Sequence, residues 1–350
     1  MDFLLYGAYG YTGQLIAEMA VAQGLRPLLS GRSEEKLRSL AERLNLPYEA
    51  IDLADSDKLD AALAKVPVVL HSAGPFAHTF HPMVEACLRT KTHYLDITGE
   101  MAVFEAIARM DKAAKEAGVM LLPGAGFDVV PTDAMAAFLS QQLPNATHLE
   151  LAFHGNAGLS HGTAKTAIEN LDTGGMVREN GSLKAVPTAH KVREITFKDK
   201  PLSAVAIPWG DVATAWYTTQ IPNIIVYIAQ SPKTIRMMKL SRYLSAILTL
   251  GPVQRFLKRQ IEKQPAGPSA EKRAKSETIV WGEVRQGEQK KVQARLKTPE
   301  GYTLTAQASL ALVQKVRAGE AKAGYQTPAG AFGYDWLLEL EGVGEFQLLD

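Results

Sequence analysis

The run Phe3-Leu4-Leu5-Tyr6 leads directly into Gly7-Ala8-Tyr9-Gly10-Tyr11-Thr12-Gly13, and that turn into the helical pattern from Gln14 to Ala20. Strand, glycine turn and helix in this order predict a dinucleotide-binding fold beginning at its first strand. Three glycines let the chain turn tightly and approach a pyrophosphate without Cβ clashes. They also let the helix pack close to the sheet, with its first N–H groups facing the anion. The spacing is G-x-x-G-x-x-G rather than G-x-G-x-x-G, so the position behind a strand adds specificity that the motif alone lacks. Gly7, Tyr9, Gly10, Tyr11, Thr12 and Gly13 are the candidate pyrophosphate contacts. The alternative is a strand-to-helix turn that binds nothing.

The alternation continues to about residue 125. Arg26–Ser30, Tyr48–Asp52, Val66–His71, His93–Asp96 and Gly118–Leu122 read as strands. Helical patterns lie between them, the last running from Met101 to Ala117. Apolar strands separated by helices predict a parallel sheet buried on both faces. Behind Gly124 the pattern changes to strand-like runs between about 147 and 230. Ser231-Pro232 starts a basic amphipathic region that ends near Lys263, and Lys275 to Val316 reads as three strands. The apolar tail from Pro328 is expected to be helical and to return to the first domain. The expected class is α/β, a Rossmann-type doubly wound parallel sheet with an inserted α+β domain. Residues 1–127 and 325–350 would form the nucleotide domain, and 128–324 a substrate or dimerisation domain.

At 350 residues the chain suits two domains, and its net charge of +1 gives no global footprint for nucleic acid. Cys87 is its one cysteine, so neither an internal disulfide nor a cysteine-based zinc site can form, and a reduced, cytoplasmic setting fits. His71, His78 and His81 fit no common metal-ligand spacing, and no metal is expected. The longest apolar runs, such as 243–250, fall short of the roughly 20 residues a membrane span needs.

The end of the second strand selects the nicotinamide nucleotide. An acid there would hold the ribose 2′-OH of NAD, whereas this chain has Gly31-Arg32-Ser33 with Lys36 one turn on. A guanidinium suits the 2′-phosphate of NADP. Asp52 could accept from the adenine amino group or serve as an ordinary loop acid. Ala73-Gly74-Pro75-Phe76 follows the fourth strand, where it would pass the nicotinamide half. Glu100 at the end of the fifth strand could position substrate, or could pair with a helix dipole. Asp128 and Asp133 fall in a glycine-rich stretch read as a domain crossing. Ser160-His161-Gly162-Thr163-Ala164-Lys165 places hydroxyls, an imidazole and an amine at a helix start, so His161 and Lys165 join Glu100 as candidate catalytic groups. Residues 232–263 leave two readings. The favoured one is a core-packing helix with a solvated basic face. The other is a helix on an anionic membrane or along an apolar tunnel.

Taken together, these motifs resemble the saccharopine dehydrogenase-like NADP-binding proteins, and within them the trans-acting enoyl reductases. The resemblance rests on Gly7 to Gly13, Ser30-Gly31-Arg32, Ala73 to Phe76, Ala86-Cys87, Tyr94 to Glu100, Pro123 to Asp133, Gly162-Thr163, Gly210-Asp211 and Gly324 to Pro328. It implies a Rossmann domain, an inserted α+β domain, a C-terminal segment returning to the first, and NADP(H). Ala125 stands where the family often has cysteine, and His81 where it often has glycine. The expected function is an NADP-dependent oxidoreductase reducing a C=C, C=O or C=N bond of a small-molecule substrate. The alternatives are a non-catalytic NADPH-binding sensor or partner protein, and a membrane-associated enoyl reductase acting on lipidic substrates. A homodimer is left open.

Overall fold

A computed structural model describes residues 1–155, 158, 160–162, 164, 174–243, 251–263, 265–288 and 290–349. Packing divides the chain into two compact units. One is Met1–Val130 with Gly301–Phe332, the other Pro131–Glu300 with Gly333–Asp350.

In the first unit, strands β1 (Leu4–Tyr6), β2 (Leu28–Gly31), β3 (Tyr48–Ala50), β4 (Val68–His71), β5 (His93–Asp96) and β6 (Met120–Leu122) are parallel. Their order is β3-β2-β1-β4-β5-β6, that of a doubly wound dinucleotide fold. The short strand Gly324–Tyr325 extends the sheet beside β6. Helices α1 (Tyr11–Ala22) and α2 (Glu34–Leu44) pack together, and Gly301–Lys315 packs on α1. A second group is formed by α3 (Ser56–Leu63), α4 (Phe80–Thr90) and α6 (Asp111–Ala117). Strand residues such as Leu4, Leu5, Leu29, Val69 and Leu95 are fully buried, as expected for a sheet covered on both faces.

The second unit is built on a mixed sheet. Its strands are β7 (His148–Gly155), β8 (Gly175–Glu179), β9 (Ser182–Val186), β10 (Val192–Thr196), β11 (Pro201–Ile207), β12 (Asn223–Ala229), β13 (Glu277–Gln286) and β14 (Lys290–Pro299). The main path runs β10-β11-β12-β7-β13-β14 and ends on Gln347–Leu349, while β8 and β9 form a hairpin beside β12. Only β12 and β7 are parallel neighbours on this path. Helix α7 (Val130–Gln142) lies against β13 at Gly282, where an added Cβ would come within 2.6 Å of Leu139 Cδ1 and 2.7 Å of Met135 Cγ. The sheet also curls. Three strand spacings, about 14 Å in a flat sheet, separate β10 from β7. Arg193 of β10 nevertheless pairs with Glu150 of β7 and Glu283 of β13, and lies 4.8 Å from the Trp281 ring centroid.

Several expectations need correction. Residues Gly301–Lys315 form a helix and not a third strand. Their alternation of threonine and aliphatic residues mimics a strand, but the helix is buried nearly all round, so it has no polar stripe to betray its period. The expected division at 127/128 and 324/325 is displaced accordingly, because 301–324 pack with the first unit. The tail returns to the first unit only through the helix Pro328–Phe332. Beyond it, Phe346 stacks on Phe138 at 4.5 Å, and Gln347–Leu349 pairs with β14 in the second unit. The helix expected over Met101–Ala117 breaks into α5 (Met101–Ala108) and α6, which lets the Asp111 carboxylate accept the Tyr325 N–H at 2.9 Å. The helix Asp211–Thr219, unmarked in the sequence reading, interrupts the second unit's strands.

Candidate functional site

At the turn after β1 the glycines meet the geometry that demands them. Gly7 has φ +86°, and a Cβ there would lie 2.8 Å from Ala73 N. A Cβ on Gly13 would collide with Gly7 O and sit 2.9 Å from the Ala8 Cα. Gly10 is the N-cap of α1. It has no side chain to cap with, and no acid occupies the first turn. The positive end of α1 is therefore left for an anion, and a phosphate pair fits where a larger side chain would not. Tyr11 and Thr12 open the helix there, with the Tyr11 ring edge-on to Tyr302 at 5.1 Å.

At the end of β2, the Tyr9 ring lies over Gly31, where an added Cβ would come within 2.7 Å of it. Lys36 Nζ stands 5.7 Å from the ring centroid. Arg32 is exposed and makes no hydrogen bond or ion pair among the described residues. Ser33 holds the N-cap position of α2 without a side-chain bond. Asp52 is exposed and accepts from the Ala54 N–H at 3.0 Å, closing its own loop.

From β1 to β5 the loops form one continuous lip at the carboxyl edge of the sheet. Gly7 abuts Ala73, and the loop Ala73-Gly74-Pro75-Phe76 runs on into a short 3-10 turn. Glu100 grips that turn with both oxygens, taking the N–H of Phe76 at 2.7 Å and of Ala77 at 2.9 Å. Glu100 is thus committed to shaping the loop. Next to it, Gly99 supports the Asp128 carboxylate, which lies 2.5 Å from where a Gly99 Cβ would be. Burial pushes the Asp128 pKa up to about 7, and nothing pairs with it among the described residues. Asp96, fully buried at the end of β5, is also pushed up to about 7 by burial. Three donors work against that shift: Tyr94 OH at 2.6 Å, Thr98 N at 2.9 Å and Gly124 N at 2.9 Å. His71 behind the lip is held neutral by burial, with its pKa lowered to about 3, and its Nε2 meets Thr79 Oγ1 at 2.9 Å.

Two of the expected catalytic groups, Glu100 and His161, belong to different units. Glu100 belongs to the first unit. His161 lies in the second, where its backbone N–H donates to Ala266 O at 3.0 Å. Lys165 lies outside the described residues. His78 and His81 are exposed, the latter 3.6 Å from Glu85. Among the described residues no cluster of His, Cys, Asp and Glu could hold a metal ion. No helix among them is long and apolar enough to cross a membrane. The sequence reading passed over Asp128 as part of a crossing. The signal was the glycine at Gly99, whose missing side chain gives Asp128 its place.

Residues 3–122 match the family model of the saccharopine dehydrogenase NADP binding domain. The first unit thus carries an NADP-binding domain similar to that of saccharopine dehydrogenase. A trans-acting enoyl reductase from Mycobacterium leprae is 37% identical over 140 residues, 38% of this chain and 34% of that protein. The match thus spans about a third of the length of the curated enoyl reductases. A protein named as lipid droplet localized in Caenorhabditis elegans is 26% identical and aligns over 96% of both chains. Among solved structures, apo saccharopine dehydrogenase (L-Glu forming) from Saccharomyces cerevisiae covers 99% of each chain with a TM-score of 0.67. Its 11% identity makes that a likeness of fold, and it extends beyond the NADP-binding domain to the second unit.

Proposed function

We propose that the protein is an NADP-dependent oxidoreductase that reduces a C=C, C=O or C=N bond. The observation that carries this reading is an NADP-binding domain whose lip holds the Asp128 carboxyl, without a partner among the described residues and with its pKa raised to about 7. Bound NADPH would supply a hydride to the carbon of the double bond. This chain would supply the matching proton. Gly7, Gly10 and Gly13 would give the pyrophosphate close access to the α1 N-terminus, and Arg32 with Lys36 would hold the 2′-phosphate. Glu100 fixes the loop from Ala73 to Phe76, which would hold the nicotinamide half. Asp128 donates its proton to the substrate atom left with the electron pair and becomes a carboxylate. An acid with a pKa near the working pH is well matched to that task.

The lipid droplet localized relative, which aligns over nearly the whole chain, favours a lipid-borne acceptor.

The reading is tested by nicotinamide fluorescence titration, followed by NADPH oxidation with enoyl thioester, ketone and imine acceptors. We expect NADPH to bind far better than NADH, and turnover that declines as pH rises above about 7. Asp128→Asn should keep NADPH affinity and lose turnover by roughly 100-fold or more. Tight NADPH binding with no turnover on any acceptor would favour the sensor or partner protein instead.

A further inference from the structure

Residues 232–263 stand apart from the rest of the chain in charge. They hold eight cations and one acid, Glu262, a local charge of +7 in a protein whose total is +1. They also stand apart in apolar exposure. Of all large apolar side chains among the described residues, the four most exposed are Tyr243 at 83%, Met237 at 63%, Leu240 at 59% and Phe256 at 59%. All four fall in this stretch.

The helix Pro232–Ser241 shows how the two properties combine. Ser231 Oγ accepts the Thr234 N–H at 3.1 Å and starts it firmly. Ile235 is buried with Ala189 and Val205, and Met238 packs against the same cluster. Arg242 anchors the far end on the carbonyls of Thr188 and Ala189. That attaches one face. Helical spacing places Met237 and Leu240 on the opposite face, flanked by Lys233 and Arg236. Lys233, Arg236, Lys239, Arg255 and Arg259 make no ion pair among the described residues. A solvated basic face alone would not display methionine, leucine, tyrosine and phenylalanine between its charges. An interface with an apolar interior beneath an anionic surface accommodates both sets at once.

We propose that the helices Pro232–Ser241 and Gly251–Glu262 dock on an anionic phospholipid surface. Met237, Leu240 and Phe256 enter the acyl boundary, and Lys233, Arg236, Lys239, Arg255 and Arg259 meet the headgroups. Neither helix is long and apolar enough to cross a membrane, and the attachment is peripheral and reversible. The surface stands independently of any turnover by the NADP-binding domain.

The test is sedimentation of the full chain with vesicles of phosphatidylcholine alone or mixed with phosphatidylglycerol, at low and high salt. Two triple variants accompany it: Met237→Ser/Leu240→Ser/Phe256→Ser, and Lys233→Glu/Arg236→Glu/Lys239→Glu. Unchanged circular dichroism and NADPH affinity confirm that each variant is folded. The expected result is salt-sensitive binding to the mixed vesicles, weakened by about tenfold or more in both variants. Three results would each overturn the proposal. One is no sedimentation of the wild type. Another is binding that survives in the apolar variant, since charge alone would then account for it. The third is binding to a duplex oligonucleotide with none to vesicles.

Discussion

Replacing Arg32 by alanine removes an exposed guanidinium that has no partner within the described chain, so the folded state should lose little stability. We expect NADPH affinity to fall by roughly 10- to 100-fold, the value of one charge-assisted contact of about 1.5–3 kcal/mol, with NADH affinity unchanged. Fluorescence titration of both nucleotides reads this directly. Asp128 predicts a different dependence. Its folded pKa of about 7 lies above the ordinary value near 3.9, so folding favours the protonated form. That contribution is full below about pH 4 and is lost as pH rises through about 7. Thermal melts across this range should fall less steeply for Asp128→Asn than for the wild type. Asp96 shares the raised pKa, so the variant flattens the slope without abolishing it.

At the scale of elements, Gly282 sits at the centre of β13 with Leu139 and Met135 of α7 directly above it. Gly282→Leu should destabilise the second unit by about 1–3 kcal/mol or more through overpacking, lowering the denaturation midpoint. The same comparison explains what could be read in advance. The β1 turn and the alternation of strands and helices in the first unit are legible because each rests on local chemistry: an apolar run, a glycine at a fixed offset. Ser231 caps its helix as its position before Pro232 suggests. The helix Gly301–Lys315 is illegible because burial on every side erases its period. The break before Asp111 is illegible because its cause, the Tyr325 N–H, lies 214 residues away. The role of Glu100 is hidden for the same reason, since its partners Phe76 and Ala77 arrive from another loop.

At the scale of the molecule, the two units are not consecutive in sequence. The chain passes between them at 130/131, 300/301 and 332/333. A fragment ending at Val130 lacks Gly301–Lys315, whose Leu304, Leu310, Leu312 and Val313 are fully buried. We expect that fragment to aggregate and to fail to bind NADPH. Joining 1–130 to 301–332 should recover a monodisperse, nucleotide-binding protein. Size-exclusion chromatography and nicotinamide fluorescence distinguish the two. A short join is enough, because a Cβ on Gly301 would lie 3.2 Å from the Phe127 ring.

The strand Gln347–Leu349 completes the second sheet by pairing with β14, more than fifty residues after that sheet's previous strand begins. Grafting a different second unit onto this nucleotide-binding scaffold therefore cannot be done with one excision. Residues 131–300 and 333–349 have to be inherited together, as a split cassette. A recombinant that swapped only the longer piece would leave a native terminal strand facing a foreign neighbour.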